Sequence, residues 1–233
     1  MEVPDAPLEL VRRCRENGLI LSDEQGGLLA GFVRSVIDWN RKINLISRRD
    51  EENIWFSHVL HSLSLLFYVE IPPGARILDL GTGGGFPGIP IAIARPDTRI
   101  VLLDSIRKKT TAVEEMAGRL ALAGVTVWTG RAEEISKGKG VAGTFDFVFT
   151  RAVASLEEIA RWSRPYLKKR EEPGGAGRVG PPALVALKGG DLDKEIASAR
   201  LRGSFRGVSV RPIAFDGSTS LGLEEKKLVA VYF

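Results

Sequence analysis

The residues with the clearest chemistry lie in one short stretch in the first half of the chain. Asp79 closes an apolar run, and the glycines Gly81, Gly83 and Gly85 follow at alternate positions before Gly88. Glycine adopts positive φ and lets a ligand approach the backbone closely. The apolar residues after Gly88 predict a helix, whose first N–H groups are unpaired and carry the positive end of the helix dipole. This strand, turn and helix therefore predict a cradle for part of a nucleotide or nucleoside.

Two classes of ligand compete for this turn. The glycines from Gly83 to Gly88 match the dinucleotide fingerprint, with Asp104 at a suitable distance for a ribose hydroxyl. Asp79, two residues before Gly81, instead matches the pattern of Rossmann-like S-adenosylmethionine-dependent methyltransferases. A carboxylate suits the ammonium and sulfonium groups of that cofactor and repels a pyrophosphate, so Asp79 favours the methyl donor. A structural turn without a ligand is the third alternative, which three glycines at alternate positions disfavour.

The hydrophobic pattern predicts the elements that position this turn. From Arg76 onward, short apolar runs alternate with helical patterns, which indicates βαβ units and a parallel sheet. The predicted strands are 76–80, 99–103, 125–129, 145–150, 183–188, Val208–Ile213 and Lys227–Phe233. The predicted helices between them are 87–95, 106–123, 155–167 and 191–201. Seven strands that end in a hairpin are typical of the methyltransferase sheet rather than of the dinucleotide-binding one.

A helical extension precedes the predicted sheet. Its predicted helices are 5–17, 22–41 and a third that begins at a capping Asp50 and stops before Pro72. On the first helix, Leu8, Val11 and Cys14 form the apolar face. We therefore expect an extension at residues 1–74 and a Rossmann-like domain at residues 75–233. Two Gly-rich segments, 171–182 and 216–223, are expected to be mobile loops.

Composition limits the class of protein without deciding it. The 233 residues are 44% hydrophobic and 27% charged, as in an ordinary globular protein, and no apolar run is long enough to span a membrane. The start of the chain lacks the features of a signal peptide, and a single cysteine fits a reducing compartment, so we expect a cytoplasmic protein. The net charge of +4 permits a nucleic-acid partner without requiring one. We expect a monomer and no metal.

Polar residues follow the predicted parallel strands, and the carboxyl ends of such strands meet at the edge of the sheet where ligands bind. Asp104 is placed to accept hydrogen bonds from both ribose hydroxyls. The segment Arg131–Glu133 is placed near the adenine edge, although Glu133 also suits a helix N-terminus. Arg151 and Lys188 end the next two strands and predict a positive rim on the substrate side, while each alone is also an ordinary surface charge.

Several segments together resemble the bacterial ribosomal RNA small-subunit methyltransferase G family, from about Leu19 to Val231. They are Trp39–Ser47, His58–Leu63, Asp79–Gly88, Leu103–Lys108, Arg131–Glu133, Arg151–Ala154 and Ala186–Gly189. The chain departs from the family pattern at Thr150, where serine is usual, and at His61, where aspartate is usual. The loop 173–182 is longer than typical, and Glu224–Lys227 replaces a common Arg-His pair. These departures concern contacts with RNA rather than the cofactor site.

The resemblance implies a class I methyltransferase that uses S-adenosylmethionine to methylate N7 of one guanosine in 16S rRNA. Its implied partner is 16S rRNA or the small ribosomal subunit. The candidate cofactor-binding residues, from the turn and from the resemblance together, are Asp79, Gly81, Gly83, Phe86, Asp104, Ser105, Ile106, Ala132, Glu133 and Arg151.

Guanine N7 carries a lone pair and no proton, so its attack on a sulfonium methyl needs no general base. The chain must instead orient N7 in line with the methyl group and exclude water. We therefore assign no catalytic base, and Arg151 and Lys188 are candidate substrate-side residues. His58 and His61 lie three residues apart on a predicted helix, and we interpret them as hydrogen-bonded packing residues rather than an incomplete metal site.

The scattered basic residues give a hypothesis for RNA binding, in which several converge with Arg151 at one rim and contact phosphates. The basic candidates are Arg48, Arg49, Arg107, Lys108 and Lys188, and Asn44 is a further candidate that could instead contact the cofactor or brace its own turn. Three alternatives stay open: a methyltransferase for a protein or small molecule, a dinucleotide-binding oxidoreductase, and a nucleotide-binding protein without catalysis. Asp79 and the length of the chain argue against an oxidoreductase. Only the family resemblance favours rRNA over other methyl acceptors.

Overall fold

The protein folds around one central sheet. The computed structural model describes residues 6–151, 153–169, 177–202, 205–215, 218, 223 and 225–233. The strands are β1 Arg76–Leu80, β2 Arg99–Asp104, β3 Val125–Thr129, β4 Phe147–Arg151, β5 Ala183–Gly189, β6 Gly207–Pro212 and β7 Lys226–Tyr232. Within the described residues they form a seven-stranded sheet in the order β3-β2-β1-β4-β5-β7-β6. Strands β1 to β5 are parallel, and β7 runs antiparallel to β5 and β6, so the predicted fold class is confirmed.

Helices cover both faces of this sheet. In chain order they are α1 Leu8–Glu16, α2 Asp23–Asn40, α3 His61–Leu63, α4 Leu65–Tyr68, α5 Gly88–Ala94, α6 Arg107–Arg119, α7 Ala132–Ile135, α8 Leu156–Ser163 and α9 Asp193–Leu201. A 3₁₀ turn at Arg48–Asp50 and a π-helical segment at Trp55–Leu60 lie between α2 and α3. Among the residues that the structure describes, no helix is both long and apolar enough to cross a membrane.

The extension shares a hydrophobic core with the sheet. Ile77 of β1 belongs to the core that also holds Phe32 of α2, whereas the next residue, Leu78, belongs to the core that holds Ile159 of α8. Successive residues of a strand point to opposite faces, and a parallel sheet is covered on both, which explains the continuous apolar run in β1. The core is continuous across the predicted boundary at residue 74, and the division into two domains stays a prediction.

The first two predicted helices form, with one change to the first. The side chain of Leu8 is 88% exposed, whereas Leu10 and Cys14 are fully buried, so the predicted apolar face is wrong at Leu8. Cys14 is buried as a small apolar group, and this burial raises the pKa of its thiol to about 12. At the start of α2, Ser22 and Gln25 form a capping box, in which Gln25 N donates to Ser22 Oγ.

The third predicted helix is wrong in form. A continuous helix from Asp50 is replaced by the 3₁₀ turn, the π-helical segment, α3 and α4, and the residue that caps the 3₁₀ turn is Ser47. Every side chain from His58 to Leu66 is buried. A segment that is enclosed on all sides has no single apolar stripe, so its backbone is set by packing and the helical period carries little information. Of the two predicted loops, residues 171–176 and most of 216–223 lie outside the described residues.

Candidate active site

A cavity of about 460 Å³ lies at the carboxyl ends of the parallel strands, and its volume is typical of a small-molecule site. The structure brings nearly all of the predicted cofactor residues together here. Its lining consists of Leu45, Ile46, Leu80, Gly81, Thr82, Gly83, Gly84, Phe86, Leu103, Asp104, Ser105, Ile106, Lys109, Gly130, Arg131, Ala132, Glu133, Arg151, Val153 and Trp162. Of the predicted cofactor-binding residues, Asp79 is the one absent from this lining.

The glycine turn after β1 has no room for side chains at Gly81, Gly85 and Gly88, of which the first and last are the most crowded. Gly81 has φ +75°, and a Cβ there would press against Val153, with Cγ1 3.0 Å away. A Cβ at Gly88 would lie 2.7 Å from Asp79 Oδ2 and also collide with Leu102. Glycine meets both demands, because it adopts positive φ and has no Cβ. The turn therefore presents bare backbone to the cavity, as a close-fitting ligand requires.

Asp79 lies beneath the turn rather than in the cavity wall. Its Oδ2 accepts hydrogen bonds from Gly88 N at 2.8 Å and from Thr82 Oγ1 at 2.7 Å. Its Oδ1 is buried and has no hydrogen-bond partner among the described residues. Burial raises the pKa of Asp79 to about 7, although the hydrogen bonds from Thr82 and Gly88 lower it. Asp79 thus holds the two ends of the turn together, and its direct contact with a cofactor stays a prediction.

Asp104, at the end of β2, joins the turn to the neighbouring strand. Its Oδ2 accepts a hydrogen bond from Gly83 N at 3.0 Å, and its Oδ1 accepts one from Ile106 N at 2.9 Å. A carboxylate has about four acceptor positions, so both oxygens can still accept from ribose hydroxyls. The side chain of Ile106 is 48% exposed and, with Ala132, adds apolar surface to the cavity. Bare turn backbone, carboxylate and apolar surface together fit the adenosyl group of S-adenosylmethionine.

The extension supplies a part of the cavity wall that the sequence did not indicate. Leu45 and Ile46 line the cavity, and their backbone N–H groups donate to Asn40 Oδ1 at 2.7 and 3.0 Å. Asn40 is buried and in turn donates from Nδ2 to Glu51 Oε1 at 2.5 Å. Asn44, the predicted RNA contact, is exposed beside this wall. Asn40 lies in the segment Trp39–Ser47, which is similar to the family. No sequence pattern in that segment indicated that Asn40 binds the N–H groups five and six residues later.

Arg151 also lines the cavity, but the extension holds its guanidinium. Nη1 donates to Ser57 O at 3.1 Å, and Nη2 contacts His58 Nδ1. The guanidinium carbon lies 5.4 Å from the ring centre of Phe86, within reach of a cation–π interaction. Packing and hydrogen bonds therefore fix Arg151 in the wall, and its roles toward cofactor and substrate stay predictions.

The two histidines differ in their surroundings. His58 Nε2 lies 3.2 Å from Asp50 Oδ2, and burial, aided by Arg151, lowers the pKa of His58 to about 4. Burial lowers the pKa of His61 to about 3, and its Nε2 has no hydrogen-bond partner in the described part of the chain. Both imidazoles are therefore neutral near pH 7. No three His, Cys, Asp or Glu side chains within the described ranges form a group able to hold a metal ion.

Lys188, one of the basic residues expected to converge at the rim, is held in an ion pair. Its Nζ donates to Glu195 Oε1 at 2.5 Å and to Ala154 O at 3.1 Å, and its side chain is 14% exposed. It does not line the cavity, because its ion pair holds it against α9. The other predicted RNA contacts, Arg48, Arg49, Arg107 and Lys108, are exposed, and their role stays a prediction.

A seven-stranded sheet in this order, with a glycine turn after the central strand and an acid after the next, defines the Rossmann-like class I methyltransferase fold. Solved structures that share it include a fibrillarin/Nop5p complex (TM-score 0.53, 12% identity) and a predicted O-methyltransferase from Agrobacterium tumefaciens (TM-score 0.52, 17% identity). Each similarity covers 73% of this chain and 79% of the other.

The chain belongs to the rRNA small subunit methyltransferase G family, whose model matches residues 25–217. A ribosomal RNA small subunit methyltransferase G from Bacteroides fragilis is 42% identical over 175 residues, which are 75% of this chain and 80% of the relative. The protein of the same name from Chlorobium phaeobacteroides is 40% identical over 204 residues, which are 86% of this chain and 85% of the relative.

Proposed function

We propose that this chain transfers a methyl group from S-adenosylmethionine to N7 of a guanosine in 16S rRNA. Family membership supports the rRNA substrate. The observation that carries the proposal is the cavity, where the glycine turn, Asp104 and the ends of the parallel strands meet. When bound there, S-adenosylmethionine supplies a methyl group on an electrophilic sulfonium.

The residues around the cavity divide the work of holding the donor. Asp104 accepts hydrogen bonds from the ribose hydroxyls, and Ile106 packs beside the adenine. Arg151 donates hydrogen bonds from two of its N–H groups to Ser57 and His58. Its remaining N–H groups pair with the carboxylate of the methionine part of the donor. Leu45 and Val153, which pack against the turn at Gly84 and Gly81, exclude water from the reacting end.

The guanine is activated by orientation rather than by proton transfer. N7 has a lone pair and no proton, so the chain has to hold it in line with the methyl group in a dry site. The positive charge moves from the sulfonium to the base, and the net charge of the site does not change. Because no proton is transferred and the net charge is constant, the reaction needs no titrating base, and neutral histidines and a fixed arginine are compatible with it.

RNA binding is proposed for two exposed basic groups next to the cavity along the chain. Arg48 and Arg49 lie in the 3₁₀ turn, two residues after Ile46, and Arg107 and Lys108 begin α6 directly after Ile106. Lysine and arginine side chains in such positions contact phosphates and orient an RNA without reading its sequence. We place the reaction in the cytoplasm, with the protein acting as a monomer.

Methyl transfer from labelled S-adenosylmethionine tests the proposal. The acceptors are naked 16S rRNA, partly assembled small subunits and complete small subunits, with the modified nucleotide mapped afterwards. Label at one guanine N7 is expected, and Asp104→Ala should lower it by weakening donor binding. Cofactor binding without label on any acceptor would overturn the rRNA substrate and favour a protein or small-molecule acceptor. Failure to bind S-adenosylmethionine would overturn the enzyme function as well.

A further inference from the structure

We infer that His58 is a positioning residue for the methyl donor, since it holds the guanidinium of Arg151 at the place where the carboxylate of the donor binds. The inference rests on the proposed function only in taking S-adenosylmethionine as the ligand of the cavity. It assigns a role to a buried histidine that the methyl-transfer chemistry itself does not use.

The first step is the position of the guanidinium. Arg151 ends β4, and its side chain reaches the extension, where it contacts Ser57 O and His58 Nδ1. The ring of Phe86, which belongs to the glycine turn, lies against both groups, 5.4 Å from the guanidinium carbon and 4.9 Å from the His58 ring centre. Three elements that are distant in sequence thus fix one cation in the cavity wall.

The second step is the tautomer of His58. A guanidinium has only N–H donors, so Nδ1 of His58 must be the unprotonated acceptor. The ring proton then lies on Nε2 and is donated to Asp50 Oδ2 at 3.2 Å. All three groups are satisfied by this single arrangement, in which Arg151 donates to His58 and His58 donates to Asp50. An imidazolium would place a proton against the guanidinium and repel it.

The third step is the contrast with His61, which lies three residues further along the same buried segment. Its Nε2 is buried without a hydrogen-bond partner in the described ranges, and it does not line the cavity. Burial alone therefore explains His61 as a packing residue. His58 differs because both ring nitrogens have polar partners and one of these partners belongs to the cavity.

Two substitutions of His58 distinguish the contact made by Nδ1 from the contact made by Nε2. In His58→Asn, the side-chain oxygen takes the place of Nδ1 and still accepts from Arg151, whereas the contact with Asp50 is lost. In His58→Gln, the longer amide takes the place of Nε2 and keeps the contact with Asp50, whereas the acceptor for Arg151 is lost. The two variants thus remove one partner each from the same buried position.

Binding of two ligands to the full-length protein, measured by calorimetry, tests the inference. S-adenosylhomocysteine carries the carboxylate, and 5′-methylthioadenosine has the same nucleoside but lacks the amino-acid end. We expect His58→Gln to weaken S-adenosylhomocysteine roughly tenfold or more, as the loss of an oriented charged hydrogen bond does, and to leave 5′-methylthioadenosine within about twofold. His58→Asn should retain most of the affinity for both ligands.

The outcomes are distinguishable from those of the proposed function, because no RNA is present. Equal losses for both ligands, equal behaviour of the two variants, or no loss in either would overturn the inference. If His58→Gln does not fold, Arg151→Lys keeps the charge without the fixed guanidinium plane and must give the same selective loss. His61→Gln is the matched control and should not discriminate between the ligands.

Discussion

The two walls of the cavity are built in different ways. The turn wall, residues 80–88 with Asp104, is held by backbone conformations and by carboxylates that bind nearby N–H groups. The extension wall, Leu45 and Ile46 with His58, is held by two side chains: Asn40, which accepts from the N–H groups five and six residues later, and Arg151, which reaches His58 from β4. Each wall thus combines local contacts with one that joins distant elements, but the turn wall relies on backbone conformation and the extension wall on side-chain hydrogen bonds.

This difference leads to different responses to mutation. The turn wall is close-packed at Gly81, Gly85 and Gly88, so a methyl group added at one of these positions would collide with its neighbours. The extension wall depends on a few hydrogen bonds, so the removal of one side chain leaves buried backbone groups unpaired. Four predictions, in order of decreasing expected effect, test whether the two walls differ in this way.

The largest effect is expected for Gly88→Ala in the turn wall. The new methyl group would lie 2.7 Å from Asp79 Oδ2 and would collide with Leu102, so α5 must move away from β1. Overpacking and the weakened hydrogen bond to Asp79 should together lower the free energy of unfolding by roughly 3–5 kcal/mol. Urea denaturation measures this loss.

Gly118→Ala is the matched control for that substitution. Gly118 lies inside α6, and a Cβ there meets nothing within 4 Å. Gly118 is the second-last residue of this helix, so alanine there should raise stability by at most the roughly 0.5–1 kcal/mol gained in a helix interior. If Gly88→Ala were as stable as Gly118→Ala, the close packing of the turn wall would not be the feature that requires glycine.

The second prediction concerns Asn40→Ala in the extension wall. The substitution leaves the N–H groups of Leu45 and Ile46 without their acceptor, and we expect a loss of roughly 2–3 kcal/mol in the free energy of unfolding. The affinity for S-adenosylhomocysteine should fall as well, because both residues line the cavity. Asn44→Ala, four residues away and exposed, should change neither quantity.

The difference between the turn wall and the extension wall also determines how much of the site can be predicted from the sequence. The strands and the turn wall are predicted well, since strands covered on both faces give apolar runs and the glycines have a conformational reason. The extension wall is missed, because no hydrophobic or glycine pattern marks the hydrogen bonds of Asn40 and Arg151. A strand pattern likewise gives no sign of the ion pair between Lys188 and Glu195, which neutralises a charge that the sequence assigns to the rim.

The third prediction is that the two walls respond to pH with opposite signs. The pKa of His58 is lowered from 6.5 to about 4, so its contribution is complete above pH 6.5 and is lost as the pH falls towards 4. The pKa of Asp79 is raised from 3.8 to about 7, so its contribution is complete below pH 3.8 and is lost as the pH rises towards 7. Between these limits the two contributions partly cancel.

The substitution Asp79→Asn removes the pH-dependent contribution of Asp79 to stability and leaves that of His58. The stability of the variant should fall more steeply than that of the wild type between pH 6 and 4.5, by up to about 1.4 kcal/mol per pH unit. Urea denaturation across this range gives the slopes. Parallel stability curves for the two proteins would mean that Asp79 does not titrate in the folded turn, and the contrast between the walls would then be one of packing alone.

The smallest effect is expected on the outer side of the extension wall, where the 3₁₀ turn presents Arg48 and Arg49. Replacing both with glutamine should leave the free energy of unfolding nearly unchanged, because both side chains are exposed. If both contact phosphates, the slope of log affinity against log salt for 16S rRNA should become shallower by about 1.5. Lys188→Gln should leave that slope unchanged, because Lys188 already pairs with Glu195. If the salt slope changed with Lys188→Gln and not with the two arginine substitutions, the RNA-binding surface would lie at the carboxyl end of β5 rather than on the extension.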